Sequence, residues 1–188
     1  LSILRGVWSS APGSMFEHSG LTCSVRLEAD PLRPVQRPHP PIIVGGGGGP
    51  RGARLAATFA DEFNTPFVPL DEMKARYSSV RRACEELSRD PAGLVWSAAQ
   101  ILCCGQSEAE LARRAAAIGR PLEDLRRDGF AGSPSEVLDK LGTLAAAGTQ
   151  RFYLQVLDLS DLDHLRLVAQ EVMPHVPATA PVTAPVSR

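Results

Sequence analysis

Five consecutive glycines, Gly45 to Gly49, stand directly after the apolar run Pro41-Ile42-Ile43-Val44 and directly before an amphipathic segment. That order reads as strand, open backbone loop, helix. Glycines carry no side chains, so their main-chain N–H groups can close around an anion at the positive end of a helix. The segment Arg54-Leu55-Ala56-Ala57-Thr58-Phe59-Ala60-Asp61 is built from good helix formers, with Leu55 and Phe59 on one face. Pro50 and Arg51 stand where the first turn begins, a place where the missing proline N–H costs nothing. The turn is therefore expected to hold a phosphate. A flexible glycine linker is the plain alternative, but linkers are seldom trapped between a buried strand and a helix.

The 188 residues are enough for one domain with a real core, and the net charge of -1 gives no sign of a nucleic-acid or acidic-membrane partner. No stretch approaches the ~18–20 apolar residues that span a bilayer. The opening Leu1 to Trp8 reads as the end of a helix rather than a secretory signal, as in a chain cut from something longer. Four cysteines, Cys23, Cys84, Cys103 and Cys104, have no metal-ligand spacing. They read as small buried hydrophobes of a protein from the reducing cytoplasm.

After the opening helix, residues 9–41 read as an insertion loop, turn-rich from Ser9 to Gly20 and proline-punctuated from Pro31 to Pro41. From residue 42 to 176 strands and helices alternate. Strands are expected at Ile42 to Gly45, Glu62 to Pro66, Leu94 to Cys104 and Arg151 to Leu157. Helices are expected around Arg54 to Ala60, from an N-cap at Asp71 through Leu87, after Ser107, from Ser133 to Ala147, and from Leu162 to Met173. Ser107 with Glu110, and Ser133 with Glu136, form capping boxes. Residues 177–188, alternating Ala, Pro, Thr and Val, read as a disordered tail.

Continuously apolar strands are buried on both faces, which is the parallel sheet of an α/β protein. Two architectures fit: an open doubly wound sheet, or part of a (β/α)8 barrel, which needs eight strands and typically ~250 residues. Gly47-x-Gly49-x-x-Gly52 formally satisfies the dinucleotide fingerprint. The strand that should then end in an acid for a ribose hydroxyl ends instead in Asn64-Thr65-Pro66. The dinucleotide reading is rejected.

The stretch Pro38 to Gly49 leading into Arg54 to Asn64 closely resembles the luciferase-like monooxygenase family, especially its actinobacterial deazaflavin-dependent (coenzyme F-420) branch. That family shows a proline-rich lead-in, an apolar strand, a glycine turn and then R-x-A-A-x-x-A-D-x-x-N. Gly132-Ser133-Pro134-Ser135-Glu136-Val137-Leu138-Asp139-Lys140-Leu141, with Gly148 before Phe152-Tyr153-Leu154, is similar to the family's G-[ST]-P-x-E-V-x-x-K-L helix and final strand. Together the matches run roughly from Val7 to Met173. The resemblance implies a TIM-type (β/α)8 barrel of which strands five to eight are present here. It implies a flavin- or deazaflavin-dependent oxidoreductase or monooxygenase acting on a small organic substrate, with coenzyme F-420 or alternatively FMN as cofactor.

Carried over residue by residue, the resemblance assigns cofactor contact to Gly45, Gly46, Gly47 and Gly48, with Arg54 supplying charge. Gly49 is one residue beyond the family's usual run, and Arg51 reads equally as a cofactor contact or a solvated surface charge. Asp61 and Asn64 match the family's A-D-x-x-N, where packing and turn roles compete with cofactor contact. His39, Glu17 and His18 read as surface groups, Trp8 and Trp96 as core, and Gln155 sits mid-strand with either orientation open. No catalytic residue is named, since the groups that end the first four strands lie outside the chain. The alternative is a non-catalytic cofactor-binding or partner subunit. An isolated half-barrel exposes two strand edges and favours association, a homodimer among the outcomes.

Overall fold

The computed structural model describes residues 1–28 and 34–177. Its centre is a parallel sheet in the order β3 (Ile43–Gly45), β4 (Glu62–Pro66), β5 (Val95–Cys104), with β5 the hub. On its far side β5 takes two partners in succession. β7 (Arg151–Gln155) pairs with Ser97 to Ile101, and the short β6 (Phe130–Gly132) pairs with Leu102 to Cys104. Every pairing in this sheet is parallel. A parallel pair needs a crossover, and helices supply each one.

The register decides between the two architectures. Partners across a parallel sheet share a face, so Phe63, Trp96 and Phe152 point one way while Asn64, Ser97 and Arg151 point the other. α2 (Pro50–Phe59) and α3 (Leu70–Glu86) pack on the first face, where Ala53, Ala56, Met73, Tyr77 and Val80 meet Phe63, Trp96 and Ala98. α6 (Pro134–Ala146) and α7 (Leu162–Glu171) continue the same layer against Leu102, Phe130 and Phe152. α4 (Glu108–Ala117) and α5 (Leu122–Asp128) reach the other parity, covering Ile101, Cys103 and Ala131 near the carboxyl end of β5. A doubly wound sheet carries helices on both faces throughout. Here the opposite face is largely bare, with Ile43 and Tyr153 half exposed on the two edge strands, as in part of a (β/α)8 barrel.

The core is aromatic where α3 crosses the sheet. Tyr77 and Trp96 stand 5.0 Å apart edge to face, and Phe63 joins both at just over 6 Å. Edge-to-face contacts set positive ring rims against negative faces. The Arg81 guanidinium lies 4.5 Å over the Trp96 ring.

Several sequence expectations change. The stretch 9–41 is not wholly loop: β1 (Met15–Ser19) and β2 (Ser24–Glu28) pair antiparallel as a hairpin beside α1 (Ser2–Ser9). Its strands alternate exposed and half-buried positions, and Glu17 pairs with Arg26 across it at 3.0 Å. Asp71 does not cap α3. The helix begins two residues earlier, at Leu70 after Pro69, whose fixed φ suits the N-cap, and Asp71 and Glu72 lie in the first turn. β6 and α5 were not foreseen. Four strands were expected in the parallel sheet, and β6 makes five. Nearly all of the expected tail 177–188, and residues 31–33 of the proline-rich stretch, lie outside the described residues. Trp96 is core as expected, whereas Trp8 is only half-buried, 6.1 Å from the His39 ring.

Candidate functional site: the glycine turn

Gly45 ends β3, and the turn runs through Gly49 into the first turn of α2, with Pro50 at its start as expected. The turn is held from behind by α3. Arg76 donates to the Gly46 carbonyl at 3.2 Å and Ser79 to the Gly48 carbonyl at 2.6 Å. The Gly46 N–H donates to the Asn64 carbonyl at 3.2 Å. With the carbonyls tied back, the N–H groups of Gly47, Gly48 and Gly49 make no hydrogen bond among the described residues. Gly48 has φ +64, and a Cβ there would stand 3.1 Å from the Arg76 Cα, so only glycine fits.

These residues fit a phosphate on the structure's own terms. The turn offers uncommitted N–H donors at the positive end of a 10-residue helix with no acid in its first turn. Arg76 Nε is buried with no partner, a donor left unspent beside the turn. Arg51 and Arg54 are exposed on α2, and neither side chain has an ion-pair partner among the described residues. Arg76 and Ser79 were missed by sequence reasoning. They lie 30 and 31 residues from the carbonyls they hold, and no local pattern marks them.

The other candidates separate. Asn64 lies on the inner face and its amide donates to Ser97 at 2.9 Å, bracing the strand behind the turn. Asp61 lies at the opposite end of the sheet, accepting the Ile42 N–H at 2.7 Å, a structural clasp. His39 is half-buried beside Trp8, and Glu17 and His18 lie on the hairpin. None of these three is brought to the glycine turn. Gln155 ends β7 and lines a cleft at the same end of the sheet as Gly45. Lower on the inner face Glu62, only 2% exposed, is covered by Arg151 and by Tyr153, whose hydroxyl donates at 2.9 Å. Among the described residues no cluster of His, Cys, Asp and Glu is placed to hold a metal, and no helix is long and apolar enough to cross a membrane.

A second polar cluster sits where α4 and α7 meet the end of β5. Arg114, 6% exposed, donates to Asp161 at 2.9 Å and to the Cys104 carbonyl at 2.7 Å. The Cys104 N–H donates to His164 Nε2 at 2.9 Å, so the buried ring is neutral with its proton on Nδ1. Burial first, and then the Arg114 guanidinium, hold His164 below its ordinary value of 6.5. The folded protein thus binds this proton less readily than the unfolded chain. The neutral ring's contribution to stability is complete above the ordinary value and is lost progressively as pH falls below it towards the lower folded value. Thermal melting should therefore drop between about pH 7.5 and about pH 5.5, and the drop should shrink in His164→Gln, whose amide oxygen accepts the same N–H without titrating. An identical drop in the variant would assign the effect elsewhere.

Parallel strands, one main helical layer and a glycine turn at the carboxyl end together define part of a (β/α)8 barrel with its binding end uppermost. The chain belongs to the luciferase-like monooxygenase family, whose model matches residues 1–153. No protein of curated function matches its sequence. Among solved structures it is similar to a coenzyme F-420-dependent tetrahydromethanopterin reductase from Methanopyrus kandleri, with a TM-score of 0.71 and 17% identity, covering 94% of this chain and 60% of that one. A monooxygenase from Streptomyces bottropensis gives a TM-score of 0.67 at 20% identity, covering 91% and 58% respectively. The oxygenating constituent of a diketocamphane monooxygenase from Pseudomonas putida, in complex with FMN, gives 0.62 at 17% identity, covering 93% and 61%. At these identities the likeness establishes the fold. The chain spans about 60% of the length of these structures.

Proposed function

We propose that this chain is the carboxyl-terminal, cofactor-anchoring part of a flavin- or deazaflavin-dependent oxidoreductase. In this reading the turn Gly45, Gly46, Gly47 and Gly48 receives the phosphate of coenzyme F-420 or of FMN, and Arg54 adds positive charge from α2. The observation that carries it is the pair of tied-back carbonyls at Gly46 and Gly48, which leaves N–H donors uncommitted at a helix N-terminus. Once bound, the ring supplies the redox chemistry, hydride exchange for a deazaflavin or oxygen activation for a flavin. The residues of this chain bind and orient it: Arg76 and Ser79 fix the turn, and Asn64 and Ser97 brace the strand ends beneath it.

A second reading, a non-catalytic cofactor-binding or partner subunit, is favoured by the bare inner face and by the strands β3, β6 and β7, each with one partner among the described residues. Fluorescence titration tests the cofactor binding on which the oxidoreductase reading depends. Saturable binding of coenzyme F-420 or FMN is expected, weakened about tenfold or more in Arg54→Glu, since a reversed charge beside a phosphate removes one attraction and adds a repulsion. A folded protein that binds neither cofactor sinks the oxidoreductase reading and leaves a partner subunit kept for assembly alone.

A further inference from the structure

We propose that the pocket at the amino-terminal ends of β5 and β7 binds a small organic carboxylate, with the Arg81 guanidinium and the Gln150 side-chain amide as its donors. The site lies at the opposite end of the sheet from the glycine turn. The inference therefore stands apart from the cofactor reading, and its failure would leave that reading untouched.

The pocket holds about 400 Å³, within the range of ~300–1,000 Å³ typical of small-molecule sites. Pro91 and Ala92, ahead of β5, and Ala145, in the last turn of α6, give it apolar walls. Trp96 joins them from β5. No carboxylate lines it, and Arg81 from α3 is the only charged residue that does.

Trp96 fixes both donors. Its ring takes the Arg81 guanidinium at 4.5 Å, and the Tyr77 ring adds a second contact at 5.7 Å. Such contacts hold a cation by the negative face of the ring and spend none of its N–H groups. Arg81 makes neither an ion pair nor a hydrogen bond among the described residues. The backbone makes room for it: Gly148 has φ +101, and a Cβ there would stand 3.1 Å from Arg81 Nη2. The main-chain N–H of Trp96 donates to Gln150 Oε1 at 3.0 Å, which leaves the Gln150 NH2 group without a partner among the described residues. Elsewhere in this chain, arginines that serve the fold spend their donors. Arg89 gives its own to three carbonyls at the end of α2, and Arg114 to Asp161 and the Cys104 carbonyl. A guanidinium held in place with every N–H unspent has more than packing to do.

Charge decides what these donors take. The carboxyl end of α6 brings roughly half a negative charge to one side of the pocket. Its Thr143, Leu144 and Ala145 carbonyls are already taken by the N–H groups of Ala147, Gly148 and Thr149. Asp90, next to Pro91, accepts the Ala92 N–H at 2.9 Å, and Glu85, one turn along α3 from Arg81, is exposed. Neither lines the pocket. The full charge of the guanidinium outweighs the helix end, so the lining is net positive and offers donors. A carboxylate answers both, carried on a body that covers the prolyl and alanyl walls.

NMR titration of the full chain with naphthoate, naphthamide and naphthylmethylamine, three probes of similar shape and different charge, tests this. Naphthoate is expected to bind about tenfold or more tightly than the other two, with its largest shifts at the Gln150 side-chain amide and the Gly148 N–H. Arg81→Met, whose thioether still covers the Trp96 ring, should abolish that preference. Gln150→Glu should abolish it too, while keeping an acceptor for the Trp96 N–H. Melting temperatures show that both variants remain folded, and the shift map of the unaltered chain stands without them. Equal binding of the three probes, no binding of naphthoate, largest shifts at the glycine turn, or a preference that survives either substitution would each overturn the proposal.

Discussion

Asp161→Ala should lower stability by about 3–5 kcal/mol, the cost of leaving a buried charge without its partner. Asp161 is 7% exposed in its side chain and Arg114 is 6% exposed, so neither is screened by water. The carboxylate takes Arg114 at 2.9 Å and Arg113 at 3.1 Å, and its other oxygen accepts the His164 N–H at 2.9 Å to cap α7. The hydrogen bond from Arg114 holds the Asp161 carboxyl far below the usual carboxylate range. Without it, the nearest carboxylate to Arg114 is Glu110, at 3.6 Å and 39% exposed. Urea unfolding measures the loss. Asp163→Ala serves as the control, because its pair with Arg166 is exposed on both sides and such pairs contribute only ~0–1 kcal/mol. Replacing both partners, Arg114→Met with Asp161→Leu, should regain most of the loss, since apolar replacement of a buried pair is often near neutral. A loss in Asp161→Ala no larger than in the control would show that Arg114 swings out to water.

Gly48→Val should reduce cofactor affinity about 100-fold, equivalent to ~2.7 kcal/mol or the loss of one or two hydrogen bonds to a charged group. The backbone at φ +64 disfavours any side chain by ~1–2 kcal/mol. Sterics add to this. The new Cβ would meet the Arg76 Cα at 3.1 Å and the Arg76 carbonyl at 3.3 Å, and main-chain atoms cannot rotate aside. The turn must then move off α3, breaking the Ser79 bond to the Gly48 carbonyl and freeing the N–H groups to point elsewhere. Gly47→Ala is the matched control, because a Cβ there meets nothing within 4 Å. Fluorescence titration of both variants with coenzyme F-420 and FMN decides the matter. Equal losses in the two would mean that the turn's shape is not what holds the phosphate.

The glycine turn was legible because its signals are local: an apolar run, five glycines and a proline-led helix are contiguous. The Ser133 capping box, with Glu136 reaching back and Gly148 at φ +101 after the helix, was legible for the same reason. What escaped falls into two kinds. β6 has three residues and α5 is the charged LEDLRRD, both too short for periodicity to emerge. The hairpin did carry a signal, since Val25-Arg26-Leu27-Glu28 alternates apolar and charged residues, but the turn-rich stretch before it drew the reading towards loop. The rest was invisible in principle. The clasp of Glu62 by Arg151 and Tyr153 joins residues about 90 apart, and Arg76 reaches Gly46 across 30. Neither distance is encoded in any window of sequence. The strand–turn–helix order around the glycines was thus readable, and the groups that brace the turn were not.

Among the described residues β5 is flanked by strands on both sides, whereas β3, β6 and β7 each have one partner. Amides of a doubly flanked strand exchange with solvent only when the sheet is breached as a whole, while single-partner edges open by local fluctuation. Deuterium uptake should therefore run as a gradient across the sheet, slowest at Ala98 and its neighbours and fastest at Ile43 and Tyr153. Any chain that pairs with one of those edges would register first as a slowing of exchange there, before the centre of the sheet changed at all.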